Sequence, residues 1–410
     1  MRPLWRNRDF MLLWTGQVVS TVGTRITALA YPLLVLALTG SPLLAGVVGF
    51  AQALPYLLLY LPAGALVDRL DRRRVMLVAD AVRAGVLATV VAGLAWDRLS
   101  LAHLAIAVFV DGACFVFFQL AESAALPHIV PRRQLPAALA QNQAREHGAE
   151  LAGQPLGGAL FAAGHALPFV VDAVSYVLSF VGLLFVRPTL QDDRAAPARG
   201  LLADIAEGLT WLWHQRFLRA VVVLVGATNV VLNALPLVLI VRAGELGASP
   251  ALIGVLLAFS GVAAILGSLV APWLHRRVPT RVVVVGSLWV WTAGTAVLVW
   301  MPTPLWLGAA AGASSVVGPL FNVVVAAYRY ALVPDRLQAR TQSAARLVAW
   351  GTIPLAPLIA GVLLQGIGST GTLLALATLM LVVAVVATAS RTVRTAPRLA
   401  DLSEDVEASV

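Results

Sequence analysis

The chain has 410 residues, of which 60% are hydrophobic and only 12% are charged, and its mean hydropathy is +0.86. Soluble domains carry about 25% charged residues, so the composition excludes a soluble globular protein. All 29 basic residues are arginine, and they are spread between long apolar runs instead of gathering on one solvated face, which argues against a nucleic-acid partner despite the net charge of +9. The single cysteine, Cys114, excludes an intrachain disulfide and a thiol–metal cluster.

Continuous apolar runs rich in Leu, Val, Ala and Gly follow one another along the chain. A bilayer core about 30 Å thick needs about 20 apolar residues per helix, and these runs lack the alternation that marks a membrane β-barrel. The sequence therefore predicts an all-α integral membrane protein with twelve transmembrane helices. We place the spans at 10–38, 43–67, 75–95, 101–121, 142–164, 167–187, 217–241, 250–273, 280–300, 304–327, 342–365 and 370–390.

Arginine placement predicts the orientation. With the N-terminus inside, 25 of the 29 arginines fall in cytoplasmic segments, and the outer loops hold only Arg98 and Arg242. Because short cytoplasmic loops carry an excess of Arg and Lys, we predict a multi-pass protein of the inner (plasma) membrane with both termini in the cytoplasm.

The two halves of the chain repeat each other at an offset of 203 residues. GALVDRLDRRRV at 64–75 and GSLVAPWLHRRV at 267–278 agree at six of twelve positions. Parallel repeats about an axis along the membrane normal are one arrangement found in secondary transporters. We predict an N-terminal six-helix bundle at 1–187, a cytoplasmic linker with an amphipathic helix at 188–216, a C-terminal six-helix bundle at 217–390 and a cytoplasmic tail at 391–410.

GALVDRLDRRR at 64–74 resembles the loop 2–3 signature of the major facilitator superfamily, G-x-L-x-D-R-x-G-R-R/K, with Asp71 in place of the second glycine. TGQVVSTVG at 15–23, LTGSPLLAG at 38–46 and FVVDAVSY at 169–176 resemble the branch that includes macrolide and enterobactin exporters. The resemblance covers nearly the whole chain. It implies two six-helix bundles, the major facilitator fold, that expose a central cavity to each side in turn.

The resemblance also implies that this loop forms a latch between helices, which favours the outward-facing state and breaks during alternation. Asp68 would meet helix N-terminal amides or an arginine, the arginines would bind lipid phosphate and acidic partners, and Asp80 and Arg83 would extend the network as an i, i+3 pair. The alternative is that these charges only set the topology. The assigned gating residues are Gly64, Asp68, Arg69, Arg72, Arg73, Asp80 and Arg83.

Arg25 and Asp111 lie midway along the first and fourth spans. A charge at that depth costs at least about 2.5–3.5 kcal/mol, so it should face protein or water and have a partner. The resemblance places spans 1, 4, 7 and 10 around the cavity, where Arg25 and Asp111 could form an ion pair. In the functional interpretation Asp111 takes up a proton and releases Arg25 or a cationic substrate; in the alternative the pair is a static bridge.

Span 5 carries two further groups of candidate functional residues, a pair of acids and a glycine-rich run. Glu146 and Glu150 lie on one helix face, where either could pair with Arg83 or Arg133 or act as a second proton site. The run at 153–158, GQPLGG, resembles a degraded antiporter motif with Gln154 where the first glycine is expected. Small residues allow close helix approach and proline allows a bend, so we predict a hinge at Gly153, Pro155, Gly157 and Gly158.

The predicted spans of the second half contain no deeply placed acid. Amides and aromatic residues on spans 7, 10 and 11 predict a substrate surface for a bulky amphipathic solute, at Asn229, Asn233, Asn322, Phe321 and Trp350.

Without lysine the chain cannot contain a P-loop, and no nucleophile–base arrangement stands out, so the sequence predicts a transporter without a cofactor or metal rather than an enzyme. We expect proton-coupled efflux of drugs, secondary metabolites or siderophores by a monomer in the lipid bilayer. The alternatives are an uptake or lipid-handling facilitator on the same fold and a transport-inactive membrane sensor.

Overall fold

The computed structural model describes residues 4–186, 190, 210, 213–214, 216–332 and 351–390. Within these residues the secondary structure is helical and contains no strand, as the predicted all-α class requires. The predicted linker helix lies almost entirely outside the described residues, and so do the tail at 391–410 and Trp350.

Twelve α-helices are described, and three short 3-10 helices accompany them. In the first half they are α1 (Arg8–Thr39), α2 (Pro42–Val67), α3 (Arg72–Ala95), α4 (Leu101–Ile129), α5 (Leu135–Ala163) and α6 (Leu167–Leu184). In the second half they are α7 (Arg216–Glu245), α8 (Pro250–Arg277), α9 (Thr280–Val297), α10 (Pro304–Ser315), α11 (Val317–Leu332) and α12 (Leu355–Ala389). The 3-10 helices are Leu4–Arg6, Arg132–Gln134 and Leu298–Trp300.

The helices begin where the local sequence supplies caps. Asn7, Ser41, Asp71 and Ser100 each accept a hydrogen bond from the backbone N–H three residues later, at the starts of α1 to α4. These caps satisfy amides that have no partner inside the helix. Asp71, which departs from the loop signature, therefore starts α3.

Helix bounds and predicted spans agree for most of the chain, with two differences at the C-terminal end. Span 10 is divided between α10 and α11, and α12 joins the end of span 11 to span 12 across a break at Gly368, where φ is 72° and ψ is 178°. Ten segments of the described residues are long and apolar enough to cross a membrane by length and composition. The segment α5 is not among them, because Arg145, Glu146 and Glu150 interrupt its apolar sequence.

Helix bounds also follow the sequence repeat. Adding the offset of 203 to the bounds of α4, 101–129, gives 304–332, which is the stretch that α10 and α11 occupy. The same shift would end the counterpart of α2 at residue 270, but α8 continues to Arg277. Ala271 stands there in place of Asp68, the residue at which α2 stops.

Contacts divide the chain into two compact units. The first unit contains residues 1–196 and 247–258, and the second contains residues 197–246 and 259–410. In the first unit α1 packs against α5 and α6, while α4 packs against α2 and α3. In the second unit α12 packs against α7 and α9. The exact predicted boundaries of the two bundles stay a prediction.

Candidate functional site

Arg83 and Asp111 form an ion pair in the interior of the first unit. Arg83 Nε donates to Asp111 Oδ1 at 2.9 Å, and the two side chains are only 3% and 7% exposed. The guanidinium carbon of Arg83 lies 4.0 Å from the ring centroid of Tyr176 and 5.5 Å from that of Phe115. A carboxylate and two aromatic faces thus replace the water that this cation loses.

This pairing corrects two predictions. The expected Arg25–Asp111 pair is wrong for this structure, because Arg83 reaches Asp111 from α3. The expected Asp80–Arg83 pair is also wrong, since Arg83 pairs with Asp111 on α4 and neither carboxylate oxygen of Asp80 has a hydrogen-bond partner among the described residues. Arg83 therefore belongs to the interior of the bundle rather than to the loop that was assigned as the gate.

A second network joins α4, α5 and α1. Arg145 binds Glu122 through two nitrogen–oxygen contacts of 2.7 and 3.4 Å, and it also lies 3.5 Å from Glu146. Glu146 in turn lies 3.4 Å from Arg25. The charges alternate along this chain, from Glu122 through Arg145 and Glu146 to Arg25, so each carboxylate has at least one cation.

The two ends of this network differ in exposure. Arg145 and Glu122 are buried, with side chains 6% and 11% exposed, whereas Arg25 and Glu146 are 36% and 38% exposed. Charged groups at mid-helix in a membrane protein face the bundle interior or a water-filled cavity. The Arg25–Glu146 end therefore borders water, while the Glu122–Arg145 end is enclosed by the bundle.

The sequence interpretation assigned no role to Glu122 or to Arg145. The predicted fourth span ended at Ala121, one residue before Glu122, but α4 continues to Ile129. A spacing signal was available, because Asp111 and Glu122 are eleven residues apart, which is about three helical turns and brings both to one helix face. Glu150, one turn beyond Glu146, is partly exposed.

Asp172 on α6 is fully buried against α1. Its carboxylate accepts hydrogen bonds from Thr27 Oγ1 at 2.7 Å and from Ser175 Oγ at 3.0 Å. The approach is close because α1 carries glycine at position 23, where a Cβ would collide with Asp172 and Ser175. Asp172 therefore has a packing role between α1 and α6 in this structure.

Asp80 on α3 differs from the other buried acids of the first unit. It has no solvent exposure, and neither carboxylate oxygen has a hydrogen-bond partner among the described residues. Arg83 and Glu122 are the charged groups near it, and Ser179 lies close on α6. Ser179 accepts a hydrogen bond from Gln17 Nε2 at 3.0 Å, which leaves its own O–H available as a donor.

The α2–α3 loop is held mainly by hydrogen bonds to main-chain oxygens. Arg72 donates to the carbonyls of Ala124 and Leu190, each at 2.9 Å, and Arg73 donates to the carbonyls of Leu183 and Leu184. These carbonyls lie near the ends of α4 and α6, where the helix dipole favours cations. The expected lipid and acidic partners of the two arginines stay a prediction.

The remaining gating residues have separate roles. The N–H of Asp68 bonds to the carbonyl of Gly64 as α2 ends, and a Cβ on Gly64 would meet no atom within 4 Å. Arg69 helps to line a cavity of about 480 Å³, which Asp71, Arg74, Ala79, Cys114 and Phe117 also border. The latch assigned to Asp68 stays a proposal.

The predicted hinge on α5 is a surface of close helix contact. A Cβ on Gly153 would collide with Arg25, and one on Gly157 would lie 2.7 Å from the carbonyl oxygen of Ile26. A Cβ on Gly158 would collide with the carbonyl of Pro250, which belongs to the part of α8 that clusters with the first unit. Pro155 lies within the helix and has no N–H to donate. The glycines allow α5 to carry Glu146 to Arg25, while bending at this segment stays a prediction.

The structure places some of the predicted substrate residues of the second unit at exposed positions and buries another. Asn233 Nδ2 donates to the carbonyl of Asn229 at 2.8 Å, and both residues are partly exposed on α7. Asn322 is exposed on α11. Phe321, by contrast, is only 4% exposed and packs edge-on against Trp291 with ring centroids 5.3 Å apart. In this structure Phe321 is a packing residue rather than part of an open substrate surface.

Known proteins resemble the chain over most of its length. A family model described as transmembrane secretion effector, MFS_3, matches residues 1–405. The multidrug efflux pump Tap of Mycolicibacterium fortuitum is 28% identical, and the match covers 92% of this chain and 94% of that protein. Macrolide efflux protein A of Streptococcus pyogenes is 25% identical over 52% of this chain and 53% of its own.

Solved structures show the same fold. The nucleoside transporter NupG matches with a TM-score of 0.76 at 11% identity, covering 95% of this chain and all of that one. A bacterial homologue of the iron transporter ferroportin matches with a TM-score of 0.71 at 17% identity, covering 94% of this chain and 99% of that one.

The family match, the efflux pumps among the relatives and the long apolar helices define a multi-pass membrane transporter rather than an enzyme. Among the described residues, no group of three or more His, Cys, Asp or Glu side chains could hold a metal ion. The chain belongs to the transmembrane secretion effector family of the major facilitator superfamily.

Proposed function

We propose that this transporter exports amphipathic small molecules from the cytoplasm in exchange for protons, by alternating access of its two halves. The efflux pumps among its relatives support the direction of transport. The arginine distribution supports a plasma-membrane orientation with both termini in the cytoplasm. We expect the monomer to be the working unit.

The half-exposed Arg25–Glu146 pair carries this proposal. Both side chains lie near the middle of their helices, and both border water. Glu146 is placed between two arginines, with contacts of 3.4 and 3.5 Å that are longer than a strong charge-assisted hydrogen bond of about 2.7–2.9 Å. A weakly held carboxylate beside water is suited to exchange a proton.

Proton uptake at Glu146 would change the network in a defined way. A neutral Glu146 would release Arg25, whereas Arg145 would keep its shorter contacts with Glu122. The network would therefore change at its water-exposed end and persist at its buried end. Glu150, one turn farther along α5, is the second acid that could receive a proton there.

Transport in everted membrane vesicles tests the proposal. With an acidic lumen, we expect the vesicles to accumulate a macrolide and ethidium, because protons leaving the lumen drive the solute inward. A protonophore should abolish the accumulation. Solute leaving the lumen under the same gradient would contradict export and indicate uptake.

Matched acid substitutions test the role of Glu146. We expect Glu146→Gln to lose gradient-driven accumulation while retaining binding of the macrolide, because the amide cannot exchange a proton. The control is Glu245→Gln, since Glu245 is a partly exposed acid that pairs with Arg242 in the second unit. Unchanged gradient-driven transport in Glu146→Gln would remove Glu146 from the coupling role.

A further inference from the structure

Arg83 is the shared neighbour of three carboxyl groups in the first unit. It forms a hydrogen-bonded ion pair with Asp111, and its positive charge also interacts electrostatically with the carboxyl groups of Asp80 and Asp172. Among the described residues no second arginine pairs with any of the three acids. If all three were ionised, two negative charges would lie buried without a cation, which a membrane interior strongly disfavours.

The three acids differ in how their charge is accommodated. Asp111 has the arginine, and Asp172 has two hydroxyl donors. Asp80 has neither, since both of its oxygens lack a hydrogen-bond partner within the described part of the chain. The nearby Ser179 hydroxyl offers Asp80 at most one donor and no positive charge, so an ionised carboxylate is least tolerable there.

The groups that face Asp80 offer no alternative cation. From α4 it is approached by Cys114 and by Glu122, whose charge Arg145 already binds. From α6 it is approached by Ser179, and on its own helix the nearby charge is Arg83. Ser179 offers Asp80 a hydroxyl but no positive charge, so Arg83 is the cation near Asp80 among the described residues, and it would have to leave Asp111 to pair with Asp80.

Asp80 and Asp111 lie on opposite sides of Arg83 along the bundle. Asp80 is eight residues from the start of α3, or about 12 Å at 1.5 Å per residue. Asp111 is eighteen residues from the end of α4, or about 27 Å from the same end of the bundle. Asp80 is thus nearer to the α2–α3 loop, and Asp111 is nearer to the opposite membrane face.

We propose that Asp80 is a proton-binding site that shares Arg83 with Asp111, so that the two acids exchange one proton and one ion pair between them. In the state described here Asp80 is a neutral carboxylic acid and Asp111 is the carboxylate. This inference rests on the proposed proton-coupled function for its role in transport, but the protonation of Asp80 can be measured independently.

The exchange conserves charge. Asp111 takes up a proton from its side of the membrane, becomes neutral and releases the guanidinium. Arg83 stays protonated and turns to Asp80, whose O–H bond breaks as its proton leaves toward the loop. One proton is bound and one is released, and the summed charge of Arg83, Asp80 and Asp111 stays zero. Ala79 and Cys114, which lie beside Asp80, also line the 480 Å³ cavity. This cavity lies toward the α2–α3 loop, the direction in which the proton leaves.

Infrared difference spectroscopy tests the protonation directly. The full-length protein in lipid nanodiscs should show the carbonyl band of a buried neutral carboxyl group at neutral pH, and Asp80→Asn should lose that band. Asp97→Asn is the matched control, because Asp97 is an exposed acid just beyond the other end of α3. Identical carbonyl regions in the wild-type and Asp80→Asn spectra would overturn the proposal.

A transport assay distinguishes a coupling role of Asp80 from the absence of proton coupling in the protein as a whole. In everted vesicles Asp80→Asn should lose proton-driven accumulation of ethidium but retain exchange of ethidium across the membrane without a gradient, and Asp80→Glu should restore part of the driven transport. Proton-driven accumulation by Asp80→Asn at the wild-type level would overturn the coupling role. If the wild type shows no proton-driven transport, the proposed function fails, and the infrared band still decides whether Asp80 holds a proton.

Discussion

The two units of this transporter differ in the charged and polar side chains that they place among their helices. In the first unit, α1, α3, α4, α5 and α6 bring five carboxyl groups and three arginines into the bundle, namely Asp80, Asp111, Asp172, Glu122, Glu146, Arg25, Arg83 and Arg145. The ion pair of the second unit that the structure describes, Arg242–Glu245, is 3.3 Å long and lies at the end of α7.

In the described part of the second unit the buried polar side chains are hydroxyls, and several of them bond to their own helix. Thr228 and Thr292 each donate to the carbonyl oxygen four residues earlier, at 2.8 Å. Such bonds add no charge and leave the helix surface apolar. Among the described residues, buried charge is concentrated in the first unit, while the second offers amide and apolar surfaces.

Breaking the Arg83–Asp111 pair should have the largest effect. Arg83→Ala leaves Asp111 buried without its cation, and we expect a loss of about 3–5 kcal/mol in the free energy of unfolding. A denaturant titration in micelles measures it. The double variant Arg83→Met with Asp111→Leu should lose less, because neither member of this pair is left buried with an unpaired charge. Equal losses in the single and double variants would contradict the pairing.

Crowding the α1–α5 contact should have an intermediate effect. In Gly157→Ala the new methyl group meets the carbonyl of Ile26, and overpacking of this kind costs about 1–3 kcal/mol of unfolding free energy. Thermal unfolding measures the change. Gly148→Ala is the matched control on the same helix, because nothing lies within 4 Å of its added Cβ and alanine favours a helix by about 0.5–1 kcal/mol. Equal shifts in both variants would argue against the close approach.

Removing the pair of the second unit should have the smallest effect. Arg242→Gln breaks a partly exposed i, i+3 pair, and we expect a change of about 0–1 kcal/mol in unfolding free energy. Gradient-driven transport should stay at the wild-type level. A loss as large as that of Arg83→Ala would remove the contrast between the two units.

Much of the fold could be predicted from local pattern. Hydrophobic run lengths located the helices, and the offset of 203 residues anticipated that α10 and α11 occupy the stretch matching α4. The break inside α12 falls at Gly368, in the short connection that the sequence left between spans 11 and 12. Helix ends were less predictable, because Glu122 stays helical beyond the apolar run that defined its span.

The sequence by itself indicated that Arg25 and Asp111 lie deep in the membrane, because long apolar runs surround both residues in their predicted spans. Only the tertiary structure decided their partners. Arg25 and Arg83 are both long enough to reach several acids, and the rotation and depth of each helix select Glu146 for one and Asp111 for the other. The same packing leaves Asp80 without a hydrogen-bond partner in the described part of the chain, which spacing along one helix could not reveal.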